Sequence, residues 1–388
     1  MDAKKSGGIV PKKLGDRLIS PDHLVERAAG EFRRGAPILI RSQKAGESGL
    51  AAAAETVNDA NLRAIAQLSG RSGALILTHA RASTLKIRLY TPEFIGLPLA
   101  SELSATDIRA IADPATDLDH PLKGPFAASR ERLPESAAAA VRLAKLAGLL
   151  PAAVLFAVPD ESRDRLLVEQ DLSEVNAGDI AQYEARTAET LQAVVRASVP
   201  LEGAEEAELV AFRPADGGPE HYAVLIGPKH SAALAPPGPV LTRLHSECFT
   251  GDLLGSLKCD CGDQLRGAVQ AIAKAGGGVL LYLAQEGRGI GLMNKLRAYR
   301  LQDEGYDTME ANKRLGFAAD ERLYDIAAHM LHLLGYSKVK LLTNNPDKIR
   351  ALEKAGIEVV ARVAHTFPDN VHNRDYLRVK AEKGGHLF

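Results

Sequence analysis

Three cysteines, Cys248, Cys259 and Cys261, lie in one short stretch, Arg243 to Arg266, among His245, Glu247, Asp252, Asp260 and Asp263, and the 388-residue chain has no others. Three soft thiolates without a fourth cysteine suit a Zn²⁺ ion whose remaining position is left to water, the arrangement of a catalytic metal rather than a structural one. Two alternatives stand beside this reading. His245 could replace one cysteine as a ligand, and small cysteines can simply fill a core. The charged, glycine-rich neighbours favour the metal.

Two further stretches have the chemistry of anion sites. Glu286-Gly287-Arg288-Gly289-Ile290-Gly291 combines glycines that let the backbone approach a ligand with an arginine fork suited to phosphate. It fits neither the dinucleotide nor the Walker pattern. Thr343 to Lys348 offers a hydroxyl, amides at a helix start and a lysine. Asp320 and Arg322 stand two residues apart, where a carboxylate could accept a proton if its surroundings tune it. Tyr299 reads first as a half-buried packing residue. Together the residues point to metal-assisted hydrolysis of a phosphorylated substrate.

These groups need strands and helix starts to position them. The run Val240 to Leu244 predicts a strand delivering the cysteine stretch, with a helix from Gln264 to Ala275 after it. Val279 to Leu283 predicts an interior strand opening into the glycine-rich loop, and Val339 to Leu342 one opening into Thr343 to Lys348, where Asn345 can cap and Pro346 can begin a helix. Ligands commonly sit beyond such strand ends. Between them, Asp307 to Glu310 reads as a helix start and Asp320 to Leu334 as a periodic helix. Upstream, helices are expected over Pro21 to Arg33, Thr56 to Leu68, Glu135 to Leu146 and Asp179 to Val199, and strands at Ile38 to Ile40, Ala74 to Thr78 and Ala153 to Val158. Arg41 to Gly49 reads as a flexible loop, and Met1 to Lys13 and the final Ala381 to Phe388 as peripheral.

The acid-rich, apolar-poor segment after Pro200 marks a boundary, giving domains 1–202 and 203–388. With 48 Lys plus Arg against 49 Asp plus Glu, the net charge of -1 supplies no global field for nucleic acid or membrane. No apolar run reaches a membrane span, and an odd cysteine count argues against a disulfide framework, so the expected compartment is the cytoplasm.

The second domain strongly resembles GTP cyclohydrolase II through long ordered blocks: RLHSEC-TGD-GSLKCDCG-QL, QEGRGIGL-NKLRAY-LQD-G-DT-EAN, LGF-AD-R-Y and LLTNNP-K. The resemblance implies zinc, one ion per subunit, on Cys248, Cys259 and Cys261, with its water attacking C8 of guanine. It implies that Tyr299 assists ring opening, that Asp320 is the proton acceptor and that Arg322 acts at the α-phosphate. It implies that GTP is held by Arg243, His245, Ser246, Glu247, Gln264, Glu286, Gly287, Arg288, Thr308, Thr343 and Lys348, with Mg²⁺ accompanying the triphosphate. The products implied are formate, pyrophosphate and 2,5-diamino-6-(5-phospho-D-ribosylamino)pyrimidin-4(3H)-one, and the family habit is a homodimer.

The first domain resembles 3,4-dihydroxy-2-butanone 4-phosphate synthase through ESAAAAVRLAKLAGLLPAAVLF. The groups a Mg²⁺-dependent rearrangement of ribulose 5-phosphate needs are missing. Arg41 to Ser48 replaces an acidic loop, Arg132-Leu133-Pro134-Glu135 replaces Gly-His-Thr-Glu, and Ala157 stands where the late glutamate belongs. The expectation is therefore an α/β and α+β protein of two domains, a degenerate and inactive synthase-like unit followed by a cyclohydrolase with a mixed sheet and packed helices. The competing readings are a bifunctional enzyme, a relative acting on another purine nucleotide, and a regulatory nucleotide-binding protein.

Overall fold

A computed structural model describes residues 19–100, 102–118, 123–227 and 238–374. The expected peripheral start and end fall outside these residues.

The first domain runs α1 (Pro21–Arg33), β1 (Ile38–Arg41), β2 (Gly49–Ala53), α2 (Asp59–Ser69), β3 (Gly73–Thr78), α3 (His79–Thr84), β4 (Phe94–Pro98), α4 (Ala105–Ala112), α5 (Glu135–Leu146), β5 (Ala152–Ala157), α6 (Asp160–Glu169), β6 (Glu174–Asn176) and α7 (Ala177–Glu189). Among the described residues its sheet has the order β4-β3-β5-β2-β1-β6, antiparallel except where β1 pairs with β6. The strands are buried on both faces. Ile38, Ile40, Ala51, Ala53 and Ala153 pack toward α1, α5 and α7, while Leu39, Leu50, Leu75, Val154 and Phe156 point to the opposite core. Alternation along a pleated strand produces this division.

The second domain continues with β7 (Gln192–Ser198), β8 (Ala207–Arg213), β9 (His221–Ile226), β10 (Val240–Ser246), α8 (Cys261–Lys274), β11 (Gly278–Leu283), α9 (Glu286–Gly289), α10 (Gly291–Asp303), α11 (Thr308–Arg314), α12 (Asp325–Leu333), β12 (Lys338–Leu342), α13 (Pro346–Lys354) and β13 (Glu358–Val363). Its sheet has the order β13-β12-β10-β11-β9-β8-β7. The four strands from β13 to β11 are parallel and the remaining pairs antiparallel. The fold is thus two mixed α/β domains, as expected. No helix among the described residues is long and apolar enough to cross a membrane.

Four local expectations need correction. The helix expected from Asp179 to Val199 ends at Glu189, and the chain resumes as β7, whose Val194 and Val195 are exposed and therefore do not form a helical core stripe. The helix expected from Asp320 begins at Asp325. Asp320 accepts a hydrogen bond from the Arg322 amide at 3.0 Å and the Glu321 amide reaches the Arg288 carbonyl at 3.0 Å, so this backbone is committed to a turn. The helix expected from Thr56 starts at Asp59, capped by Asn58. The loop expected to run to Gly49 gives way there to β2, an alanine-rich central strand lacking the β-branched residues that mark strands in sequence.

The domains share a core. Ile290, Ala298, Leu301, Ala311, Leu315 and Phe317 of the second pack into the cluster that holds Leu39, Leu75 and Phe156 of the first. Nearby, the Arg81 guanidinium, 1% exposed, is bound to the Asp117 carboxylate, which also accepts from Lys123 at 2.6 Å. Burial pushes the Asp117 pKa up, but the hydrogen bonds and charges of Arg81 and Lys123 outweigh it and hold the carboxyl below its ordinary value. Asp117→Ala leaves a buried cation unpaired and is expected to cost about 3–5 kcal/mol in urea unfolding. Because the folded pKa is depressed, this stabilisation is complete above the unfolded value of about 4 and is lost as pH falls through the folded one. The gap between wild type and variant should therefore shrink in acid below about pH 4.

Candidate active site

The parallel strands β10, β11 and β12 end side by side, and their C-terminal extensions build one pocket. Arg243, His245, Ser246, Glu247 and Cys248 come from β10 and the residues after it, Glu286, Gly287 and Arg288 follow β11, and Thr343 and Lys348 follow β12. Cys259, Cys261 and Gln264 enter from the start of α8, Tyr299 from α10 and Thr308 from α11. Arg322 also lines the pocket, and Asp320 stands behind it, bound to its guanidinium with Nε to Oδ1 at 2.8 Å. Of the candidate site residues, all but Asp320 line this pocket.

The three cysteine sulfurs lie within 4.8 Å of one another, Cys248 and Cys259 being 3.8 Å apart. Sulfurs on a tetrahedral zinc at about 2.3 Å stand about 3.8 Å from each other, so the donor set fits that ion. His245 does not join the cluster. Its Nε2 is 3.1 Å from both oxygens of Asp252, which also accepts from the Cys248 amide at 3.0 Å and the Tyr282 hydroxyl at 2.9 Å. The alternative of His245 as ligand is thereby corrected. The irregular turn Phe249–Leu253 carries the chain from Cys248 around the sulfurs, and Gly251 faces them. A Cβ there would lie 2.8 Å from Cys259 Sγ and 3.0 Å from Cys248 Sγ.

Lys295 has no role that its place in the sequence alone reveals. Its Nζ donates to Cys248 Sγ at 3.0 Å, Thr250 Oγ1 at 2.9 Å and Glu286 Oε1 at 2.9 Å. The one signal available is its helical spacing of four from Tyr299. Hydrogen bonds from the neighbouring thiols, aided by Lys295, lower the Cys248 pKa against burial, while the Cys248 thiolate raises that of Cys259. Burial alone would discharge Lys295, but Cys248, Tyr299 and Glu286 more than compensate and keep it a cation.

Around this centre, polar groups converge at depth. Arg243 donates to the Leu342 carbonyl at 2.9 Å and to Gln264, and burial lowers its pKa to about 10. Lys348 donates to the Leu244 carbonyl at 2.8 Å. Arg243 Nε, His245 Nδ1 and Ser246 Oγ are buried without a hydrogen-bond partner among the described residues, a costly state for a folded protein unless a ligand completes it. Gly287 and Arg288 both take left-handed backbone conformations, each at φ 63°, which in Arg288 is strain of the kind found at ligand clamps. Asn344 and Asn345 of the Thr343 to Lys348 stretch also line the pocket, as do Asn312 and His365, which were not singled out from sequence.

The cluster of three cysteines able to hold a metal ion opens into a pocket lined by Arg243, Arg288, Lys295, Arg322 and Lys348. The sequence pattern of GTP cyclohydrolase II matches residues 192–364. The chain is 49% identical over 366 residues to the GTP cyclohydrolase-2 of Azospirillum brasilense, covering 94% of each. It is 59% identical over 171 residues to that of Azotobacter vinelandii, covering 44% of this chain and 80% of the relative. It is also 37% identical over 336 residues to the riboflavin biosynthesis protein RibBA of Cytophaga hutchinsonii, covering 81% of this chain and 80% of that one. A solved two-domain 3,4-dihydroxy-2-butanone 4-phosphate synthase from A. baumannii aligns over 89% of this chain and 99% of its own, but at 18% identity and a TM-score of 0.35 it carries no argument. The chain belongs to the GTP cyclohydrolase II family.

Gly251→Ala tests the sulfur cluster without touching a cysteine. The added methyl has to push the thiols apart, so the purified variant is expected to bind at least tenfold less zinc in a competition titration while keeping its secondary structure by circular dichroism. Wild-type zinc affinity in this variant would refute the geometry.

Proposed function

We propose that the protein is a zinc-dependent GTP cyclohydrolase II that converts GTP to 2,5-diamino-6-(5-phospho-D-ribosylamino)pyrimidin-4(3H)-one, formate and pyrophosphate, the first step of riboflavin biosynthesis. The observation that carries the reading is the meeting of the three-sulfur cluster with buried, unpartnered donors and cationic side chains in one pocket. When bound by Cys248, Cys259 and Cys261, zinc supplies Lewis-acid activation of water at neutral pH.

The protein's own groups divide the remaining work. Arg243, Arg288 and Lys348 balance the triphosphate charge, with Mg²⁺ travelling on the nucleotide, and Gln264, Thr308 and Thr343 add hydrogen bonds. His245, Ser246, Glu247, Glu286 and Gly287 complete the walls around GTP. Tyr299, with Lys258 and Lys295 near its ring at 5.2 and 5.7 Å, hydrogen-bonds the opening base. Asp320 accepts a proton. Its pKa is raised by burial and lowered further by Arg322, so it is ionised at neutral pH but a weak base until substrate draws Arg322 away. That engagement also favours Arg322 as a stabiliser of the α-phosphate over a nucleophile, since guanidinium stays protonated.

The first domain is proposed to be inactive; the division proposed from sequence, 1–202 and 203–388, leaves β7 on its side of the boundary although that strand pairs with β8 in the second sheet. Ser42 donates to Glu135 at 2.6 Å, the Glu135 amide to Glu47 at 2.8 Å and the Ser42 amide to Ser48 at 3.1 Å, so the polar groups of the altered loop satisfy one another. We take the working form to be a cytoplasmic homodimer that binds neither nucleic acid nor membrane.

The test is product analysis of the zinc-loaded protein. Formate, pyrophosphate and the diaminopyrimidine should appear together from GTP, Cys259→Ser should lose both zinc and turnover, and ribulose 5-phosphate with Mg²⁺ should remain unconverted. Zinc-loaded protein inert toward GTP would overturn the substrate assignment, and conversion of the sugar at an enzymic rate would overturn the inactivity of the first domain.

A further inference from the structure

Two of the elements that build the site outside the strand ends, α10 and the turn carrying Asp320 and Arg322, are each tied to the first domain. On a helix of 3.6 residues per turn, Lys295, Tyr299 and Gln302 share one face of α10, and Asn294, Arg297 and Leu301 share the opposite one. The first face lines the pocket, whereas the second meets the first domain. There Arg297 reaches Glu55 with Nη2 to Oε1 at 2.7 Å and Asp113 with Nε to Oδ2 at 3.4 Å, and Asn294 donates to the Gly148 carbonyl at 3.2 Å. Glu55 is fixed in turn by the Leu150 amide at 2.8 Å.

The turn that carries Asp320 and Arg322 is tied in the same way. Lys145 of α5 donates to Glu321, the residue between them, at 2.7 Å, and the same oxygen accepts from the Ala318 amide at 2.8 Å. At the start of this turn the Thr78 hydroxyl donates to the Gly316 carbonyl at 2.8 Å. Lys145 and Glu321 line a second cavity of about 1290 Å³ at the seam between the domains, so close packing does not fix the turn on that side and directed contacts must.

We infer that Glu55 and Lys145 of the first domain are positioning residues for the cyclohydrolase reaction, holding α10 through Arg297 and the Asp320–Arg322 turn through Glu321. The inference rests on the cyclohydrolase reading and gives the first domain a working role, since it sets the geometry of Tyr299, Asp320 and Arg322 without touching substrate. A displacement of about 1 Å in such groups can reduce a rate by about a hundredfold.

The test uses the full-length zinc-loaded protein with Glu55→Gln, which keeps an acceptor for the Leu150 amide, and Lys145→Met. Each is expected to lower kcat about tenfold or more while KM for GTP stays within about threefold and zinc content is unchanged. Lys145→Arg should restore most of the rate, and Glu55→Gln should cost nothing further in an Arg297→Met background. Hydrogen exchange of residues 291–303 and 317–324 should speed up in both variants, a readout independent of turnover. Unchanged kcat and unchanged exchange, with only a lower melting temperature, would overturn the inference. If the wild type does not turn over GTP, the functional reading falls, and the exchange data still decide whether these contacts hold the two elements.

Discussion

Lys295 is the interaction on which the site depends. Three thiol groups crowded together beside Glu286 form a cluster whose ionised forms repel one another, and a cation within 3.0 Å of Cys248 and 2.9 Å of Glu286 offsets that repulsion where water cannot. A buried ammonium on its own would be as costly as the thiolates it serves. Each charge is therefore tolerable only because the others are present, and the turn around Gly251, the loop after β11 and the helix α10 are held in the arrangement that lets them meet.

The parallel half of the second sheet gives this cluster its substrate side. β10, β11 and β12 end together, so three loops distant in sequence open onto the same space, and each contributes a different function: sulfurs from the first, a strained glycine-rich clamp from the second, a capped helix start with Lys348 from the third. The antiparallel strands β9, β8 and β7 extend the sheet, and among the described residues none of theirs lines the pocket. Arg243 Nε, His245 Nδ1 and Ser246 Oγ, buried without a partner among the described residues, all lie on β10.

Much of the site is legible in the sequence because its chemistry is local. The cysteines sit within one turn and one helix start, and the strand-end loops carry glycine, proline and cap residues whose backbone demands are visible without coordinates. What stays hidden is relational. Lys295 is an ordinary lysine until α10 sets it over Cys248, and Asp252 becomes the partner of His245 only through the irregular turn after β10. In the fold, β7 reads as helix because its valines fit a helical spacing, and β2 passes for loop because alanine does not advertise a strand. The turn before α12 is lost because the hydrogen bond from Arg322 to Asp320 overrides a sequence that is otherwise helical.

The core shared between the domains has an evolutionary consequence. Leu39, Leu75 and Phe156 pack in the same cluster as Ala298, Leu301 and Phe317, which belong to the second domain. Selection on the second domain's chemistry thus extends into the interior of the first.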